Sequence, residues 1–272
     1  MSTQTARAAR FRQLHQPGTP LLMPNAWDVG SAVLFATLGF EALATTSGGF
    51  AVTRGRHDGA LSRTEVLAHV ADLAGATDVP LSADLENCFA HDPDGVAATV
   101  TEAVACGVAG CSVEDFSGLA DQPIYELDHA ADRVRAAAEA AHAGPVPVVL
   151  TARAENYLRG RPDLGDTITR LQAYQDAGAD VLFAPTVVDP ADLRQLLGAV
   201  DRPVSVLVVP GAPTVGELAQ LGVSRISVGG VIAVAAYGAA VQAVTELRTQ
   251  GTCGYWDLAD VARPVMAAGF TR

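Results

Sequence analysis

Pro80-Leu81-Ser82-Ala83-Asp84-Leu85-Glu86, and the next such run, Gly110-Cys111-Ser112-Val113-Glu114-Asp115, decide the fold. Each is short and mostly apolar without strict alternation, as a strand covered on both faces must be. Each ends in acids. Between them, residues 93–106 read as a helix. A buried strand, a helix and a second buried strand form a parallel βαβ unit. The unit recurs along the chain. Further strands read over 21–25, 42–47, 146–153, 180–184, 203–208 and 225–228. Further helices read over 29–38, 63–75, 128–142, 164–177, 190–199, 215–221 and 232–249. Several helices stop at a glycine before a small or apolar residue, as in Leu38-Gly39-Phe40, Cys106-Gly107-Val108, Ala177-Gly178-Ala179 and Leu221-Gly222-Val223. That is the residue that ends a helix in the left-handed conformation.

Eight strands and eight helices in one domain predict an α/β fold, a (β/α)₈ TIM-type barrel. The competing architecture is a doubly wound open sheet, which gathers its polar residues at one switch point. Here they lie at the C-terminal ends of many strands: Asn25, residues 45–49, Asp84 and Glu86, Glu114, residues 153–156 and Ser205. A barrel brings all these ends to one mouth. The barrel domain covers 1–250, after a lead-in helix around Phe11 and Leu14. Residues 251–272 form a helical extension with Trp256, Val261, Val265 and Phe270 at helical spacing. Its apolar face needs cover, and a partner subunit supplies it. The loops 50–62 and 116–127 exceed what a connection needs and are candidate lids.

The composition excludes several functions. A chain of 272 residues, 49% hydrophobic and 18% charged, has the make-up of a soluble globular protein. A net charge of −12 leaves no basic stripe for nucleic acid and no attraction to anionic membranes. Residues 230–244 are apolar, but Gly230, Tyr237, Gly238 and Gln242 read as a packed helix rather than a membrane span. The arginines of the first 16 residues precede no signal-peptide core. Cys88, Cys106, Cys111 and Cys253 lack metal-pair spacing and read as reduced thiols, which places the protein in the cytoplasm. There is no lysine. Schiff-base chemistry, a pyridoxal phosphate anchor and a Walker lysine are therefore excluded. Acids grouped at neighbouring strand ends suit a hard cation such as Mg²⁺, which takes oxygen ligands and keeps several waters.

The motifs Pro24-Asn25-Ala26-Trp27-Asp28, Thr45-Thr46-Ser47-Gly48-Gly49, Asp84-Leu85-Glu86, Val113-Glu114-Asp115 and Leu150-Thr151-Ala152-Arg153-Ala154-Glu155-Asn156 fall in order on successive strand ends. In this the chain resembles the isocitrate lyase and phosphoenolpyruvate mutase superfamily over nearly its whole length. The resemblance implies a (β/α)₈ barrel, Mg²⁺ or Mn²⁺, a small 2-oxo acid substrate and an enolate-like intermediate. It also implies a homo-oligomer, homotetramers or dimers that exchange a C-terminal helix, and a tetramer built from such dimers is expected here. By the same resemblance Asp84 is the direct metal ligand, and Glu86 and Glu114 hold metal-bound water. Asp58 is the loop acid that joins them. Thr46, Ser47, Gly48 and Gly49 form the turn that binds the substrate carboxylate, and Arg153 grips its far end. Asp58, Glu114 and Arg153 are the candidate catalytic groups. The chemistry is coherent: a cation polarises the carbonyl of a chelated 2-oxo acid, and an arginine fork holds a carboxylate by two parallel bonds.

The chain also departs from that pattern. The lyase branch carries a Lys-Lys-Cys-Gly-His type motif after the strand-four glutamate, its cysteine being the proton donor. Here the loop reads Phe116-Ser117-Gly118-Leu119-Ala120-Asp121-Gln122-Pro123. Cleavage of isocitrate or methylisocitrate by that mechanism is not expected. The mutase lysine is absent too, and Ala184-Pro185-Thr186 stands where the lyases have a glutamate. The expected function is Mg²⁺-dependent C–C cleavage or decarboxylation of a 2-oxo acid such as oxaloacetate, 2-oxoglutarate or a related dicarboxylate. The alternatives are a 2-oxo acid-binding protein without robust catalysis, and P–C bond chemistry on phosphonopyruvate. Candidate proton donors are Tyr125, Ser117, Cys88, His57 and metal-bound water. Simpler readings compete: Arg153 could serve only to pair with Glu155 or Glu114, and free cysteine is usually a small buried hydrophobe.

Overall fold

A computed structural model describes residues 3–270. Its strands are β1 (Leu21–Met23), β2 (Asn25–Ala26), β3 (Leu43–Thr45), β4 (Leu81–Asp84), β5 (Gly110–Glu114), β6 (Val149–Arg153), β7 (Val181–Phe183), β8 (Val204–Leu207) and β9 (Arg225–Ser227). All pair in parallel, in the order β1-β9-β8-β7-β6-β5-β4-β3-β2. β1 and β2 are two halves of one strand broken at Pro24, which has no N–H to give. The first half pairs with β9 and the second with β3, so the broken strand carries the sheet round into a TIM-type barrel. β6 starts at Val149 rather than at 146, because Pro145 and Pro147 cannot donate to a ladder.

The helices are α1 (Gln4–Gln13), α2 (Val29–Thr37), α3 (Ser47–Thr53), α4 (Arg63–Ala76), α5 (Pro93–Ala105), α6 (Leu127–His142), α7 (Leu164–Asp176), α8 (Pro190–Ala199), α9 (Val215–Leu221), α10 (Val231–Gln250) and α11 (Trp256–Gly269). Gly39, Gly107, Gly178 and Gly222 all have positive φ at helix ends, between 89° and 106°. α1 closes the barrel floor. Phe11 is fully buried there, and a Cβ on Gly110 would lie 2.6 Å from its ring, so β5 needs glycine at that position. α3 is an element that the sequence reading takes for a turn. The Thr46 hydroxyl caps it by accepting from the Gly49 N–H at 3.2 Å.

α10 departs from expectation. Its first turn packs on α3, but the rest stands clear of the barrel: only Ala233 is buried, and Val231, Val234, Tyr237, Val241, Val244 and Leu247 are exposed. By length and composition alone it could also cross a bilayer. Leu22, on β1, is exposed as well. α11 packs against α2, its Gly269 lying close to Thr37 and Val33. Several positions facing the barrel interior carry small residues, among them Ala44, Ser82, Ser112 and Ser227, where branched apolar side chains usually fill it. The space they leave is the site.

Candidate active site

A cavity of about 580 Å³ opens at the C-terminal ends of the strands. Thr46, Ser47, Gly48, Asp58, Asp84 and Arg153 line it, together with Arg56, His57 and the first turn of α10. Gly49, Glu86 and Glu114 are not part of its lining.

Asp84 ends β4 at the cavity wall. Its Oδ2 accepts the Ser47 N–H at 3.1 Å and its Oδ1 accepts Arg153 Nη1 at 3.1 Å. Its own N–H donates to Thr45 Oγ1 at 2.8 Å, which locks the strand end to β3. Arg153, at the end of β6, also binds Glu155 Oε1 through Nε at 3.0 Å and Nη2 at 2.7 Å, and lies 3.3 Å from Glu114 Oε2. Burial works against its charge, but Glu155, Glu114 and Asp84 outweigh it and push its pKa up. Arg153 is therefore surrounded by acids. Arg159 reaches the same pair, 3.7 Å from Glu114 and 3.4 Å from Glu155, and stacks over Phe116 at 3.5 Å. Burial drives Glu114 well above the usual carboxylate range, against the pull of Arg153.

Glu86 is held differently. Its Oε1 is buried and has no hydrogen-bond partner among the described residues. Burial first, and then the charges of Asp84 and Asp58, push its pKa up to about 8. Its backbone is left-handed, φ 51°, as are those of Cys88 at 60° and Phe89 at 55°. Side chains with a Cβ rarely adopt this conformation, and it collects at functional sites. Arg133, fully buried on α6, holds the segment by donating to Asn87 O at 2.6 Å and Ala90 O at 3.0 Å.

The donor set tests the expected metal. Among the described residues, no three His, Cys, Asp or Glu side chains converge into a ready-made cage. Asp84, Glu86 and Glu114 do not form one, because Glu114 is turned to Arg153 and Arg159. Asp58, Asp84 and Glu86 remain: hard oxygen donors, with one oxygen, Glu86 Oε1, buried and unpaired among the described residues. They fit a cation that is bound through few carboxylates and keeps its own waters, as Mg²⁺ does.

Of the expected anion turn, two N–H groups already have acceptors: Ser47 gives its proton to Asp84 and Gly49 to Thr46. That of Gly48 remains, with Asp58 packed close by. The candidate proton donors separate as clearly. Cys88 is fully buried and burial pushes its thiol up to about 12. Ser117 Oγ is tied to Gln122 O. The Tyr125 hydroxyl lies 2.5 Å from His91 Nδ1. None of the three lines the cavity, whereas His57 does. Arg225, which the sequence reading passes over as the first residue of a strand, lines the cavity floor.

A family model described as phosphoenolpyruvate phosphomutase matches residues 11–248. The chain belongs to that family, within the isocitrate lyase and phosphoenolpyruvate mutase superfamily. An uncharacterized Mycobacterium tuberculosis protein is 35% identical over 222 residues, 81% of this chain and 82% of that protein. The 2-methylisocitrate lyase of Bacillus subtilis is 28% identical over 212 residues, 74% of this chain and 67% of the enzyme. A Burkholderia cenocepacia J2315 crystal structure, described as a candidate lyase/mutase, is 48% identical with a TM-score of 0.93, covering 97% of this chain and 95% of that one.

Proposed function

We propose that this protein is a Mg²⁺-dependent enzyme that cleaves or decarboxylates a 2-oxo acid in the barrel mouth. The observation that carries the reading is Asp84 at the cavity wall, beside a second acid, Glu86, whose buried Oε1 has no partner. Asp84, Glu86 and Asp58 would hold the cation. When bound, it supplies Lewis-acid polarisation of the substrate's keto group. The chain's own groups do the rest. The Gly48 N–H, which has no acceptor among the described residues, offers a hydrogen bond to a carboxylate. Glu114 and Glu155 fix the fork of Arg153 at the cavity wall, where it faces the substrate as a hydrogen-bond donor. His57 is placed to hold or deliver a proton, a contribution of typically 10²–10⁴-fold. The loop that carries Arg56, His57 and Asp58 is hinged by Gly55 and Gly59, both at positive φ, and can exclude water when it closes. The relative named 2-methylisocitrate lyase supports a C–C bond reaction. The missing thiol in the 116–123 loop argues against its particular chemistry. The family description favours a second reading, P–C bond chemistry on phosphonopyruvate.

The same proposal includes a homo-oligomer. α10 offers an apolar stripe, Val234, Tyr237, Val241 and Val244, that the chain itself does not cover.

The test is turnover of oxaloacetate, 2-oxoglutarate, 2-alkylmalates and phosphonopyruvate by wild type and Asp84→Ala. EDTA should abolish turnover and Mg²⁺ should restore it in wild type alone. Undiminished turnover in the chelated protein would overturn the metal reading, and turnover of phosphonopyruvate alone would select the second.

A further inference from the structure

Two arginines line the cavity from inside the barrel, and their surroundings are opposite. Arg153 is shared among three acids. Arg225 is 3% exposed and, among the described residues, makes no ion pair. Its Nε donates to Ser205 Oγ at 3.0 Å and its Nη1 to Thr151 Oγ1 at 3.0 Å. Nη1 also lies 3.3 Å from His15 Nε2. The other ring nitrogen of His15 is 2.8 Å from Phe11 O, which can only accept, so Nδ1 carries the proton and Nε2 accepts from Arg225. Every partner of Arg225 is thus neutral, and its Nη2 has none among the described residues. Burial and the nearby charge of Arg153 push its pKa down to about 9, with no acid pulling the other way.

A buried charge without a counter-ion is costly. Fastening α1 to the barrel floor would explain the bond to His15, but a neutral donor would serve that purpose as well. An unpaired guanidinium on the cavity lining, which Ser82, Ser112 and Ser227 share, is suited to an anion that arrives from outside. The spacing is also suitable. Thr151, which Arg225 grips, lies two residues before Arg153 on β6. At roughly 3.3 Å per residue the two levels are about 6–7 Å apart. A chain of four or five carbons, with bonds of about 1.5 Å, can bridge that gap with both ends in hydrogen-bond range.

We propose that Arg225 receives the second acidic group of the substrate, and so selects 2-oxo dicarboxylates over 2-oxo monocarboxylates. This rests on the 2-oxo acid reading above. Calorimetric titration of the intact protein in Mg²⁺ with 2-oxoglutarate and with 2-oxovalerate compares two five-carbon chains that differ at the far end. Wild type should prefer 2-oxoglutarate by about tenfold or more, the range of a charged hydrogen bond. In Arg225→Gln the ratio of the two affinities should fall to near one. Ser205→Asp offers an independent route if Arg225→Gln fails to fold. It sets a permanent carboxylate beside Nε and should also collapse the ratio while sparing the fold, as a melting curve will show. Equal affinities in wild type, or a preference that survives in either folded variant, would overturn the assignment of Arg225. If neither ligand binds wild type, the 2-oxo acid reading itself falls, and this inference with it.

Discussion

Replacing Arg153 with methionine keeps most of the side chain's bulk and removes its charge. The structure sets the size of the effect. Glu155 is fully buried and Glu114 nearly so, and Arg153 lies 2.7 Å from the first, 3.3 Å from the second and 3.1 Å from Asp84. Arg159 could compensate only in part, since it sits farther off, at 3.4 Å and 3.7 Å, and does not reach Asp84. Removing one partner from a buried ion pair costs about 3–5 kcal/mol. In a chain of this size each kcal/mol lowers the melting temperature by roughly 2–4 °C, so Arg153→Met should melt roughly 6–20 °C below wild type. Calorimetric melting of the EDTA-treated proteins measures this directly. Added Mg²⁺ should then recover part of the loss, because a ligand that binds only the folded state stabilises it by mass action. Arg153→Lys should fall between the two, keeping the charge but not the planar fork. A metal-free Arg153→Met that melts within about 2 °C of wild type would refute the reasoning, since the acids would then need no cation.

Two further outcomes follow from other parts of the molecule. Val241→Glu with Val244→Glu should turn the oligomer into a monomer of unchanged helix content, because both residues stand on the exposed stripe of α10; light scattering at micromolar concentration decides, and a wild type that is already monomeric would contradict the assembly. His15 is neutral in the fold, with burial and the Arg225 charge lowering its pKa from 6.5 to about 3, so the unfolded chain takes up a proton that the native state refuses and stability falls as pH drops from 6.5 towards 3. At pH 5 the loss is ~2 kcal/mol, and in urea titrations at pH 7.5 and pH 5 it should shrink in His15→Gln; equal pH dependence in both proteins would refute it.

The barrel was legible because its evidence is local and repeated. Continuous apolar runs, helices at the proper period and the terminating glycines at 39, 107, 178 and 222 each report on a few neighbouring residues. α3 was hidden for the opposite reason. Ser47-Gly48-Gly49 has the composition of a turn, and only the Thr46 cap and the packing of Gly49 against Trp27 and Ala233 make it a helix. The acids at the ends of β4 and β5 could be placed at one mouth, but not their pairing. Whether Glu114 faces a cation or an arginine depends on how β6 sits beside β5, which sequence does not encode in any nearby residue. Arg225 shows the limit most plainly. A charged residue opening a strand reads as a surface position, and its significance lies in the acids that are absent around it.

The site joins two opposite uses of charge within one barrel. On the wall of β4 to β6, acids outnumber arginines, and the surplus falls on Glu86, whose buried Oε1 has no partner. That surplus would relax if Glu86 could turn to solvent. It is prevented from doing so by the segment that carries it: Glu86, Cys88 and Phe89 are held in the left-handed conformation by the two bonds from Arg133, while Thr99 Oγ1 grips the Cys88 carbonyl at 2.8 Å. Backbone strain of this kind, of order 1–3 kcal/mol per residue, persists only where the surroundings over-determine it. Across the lumen the imbalance is reversed, with Arg225 buried among hydroxyls and a neutral histidine. A negative excess at the rim and a positive excess on the floor, each held by neighbours that cannot neutralise it, suit the proposed cation above and the substrate's proposed second acidic group below. Binding both would satisfy in one event the charges that folding alone leaves unpaired.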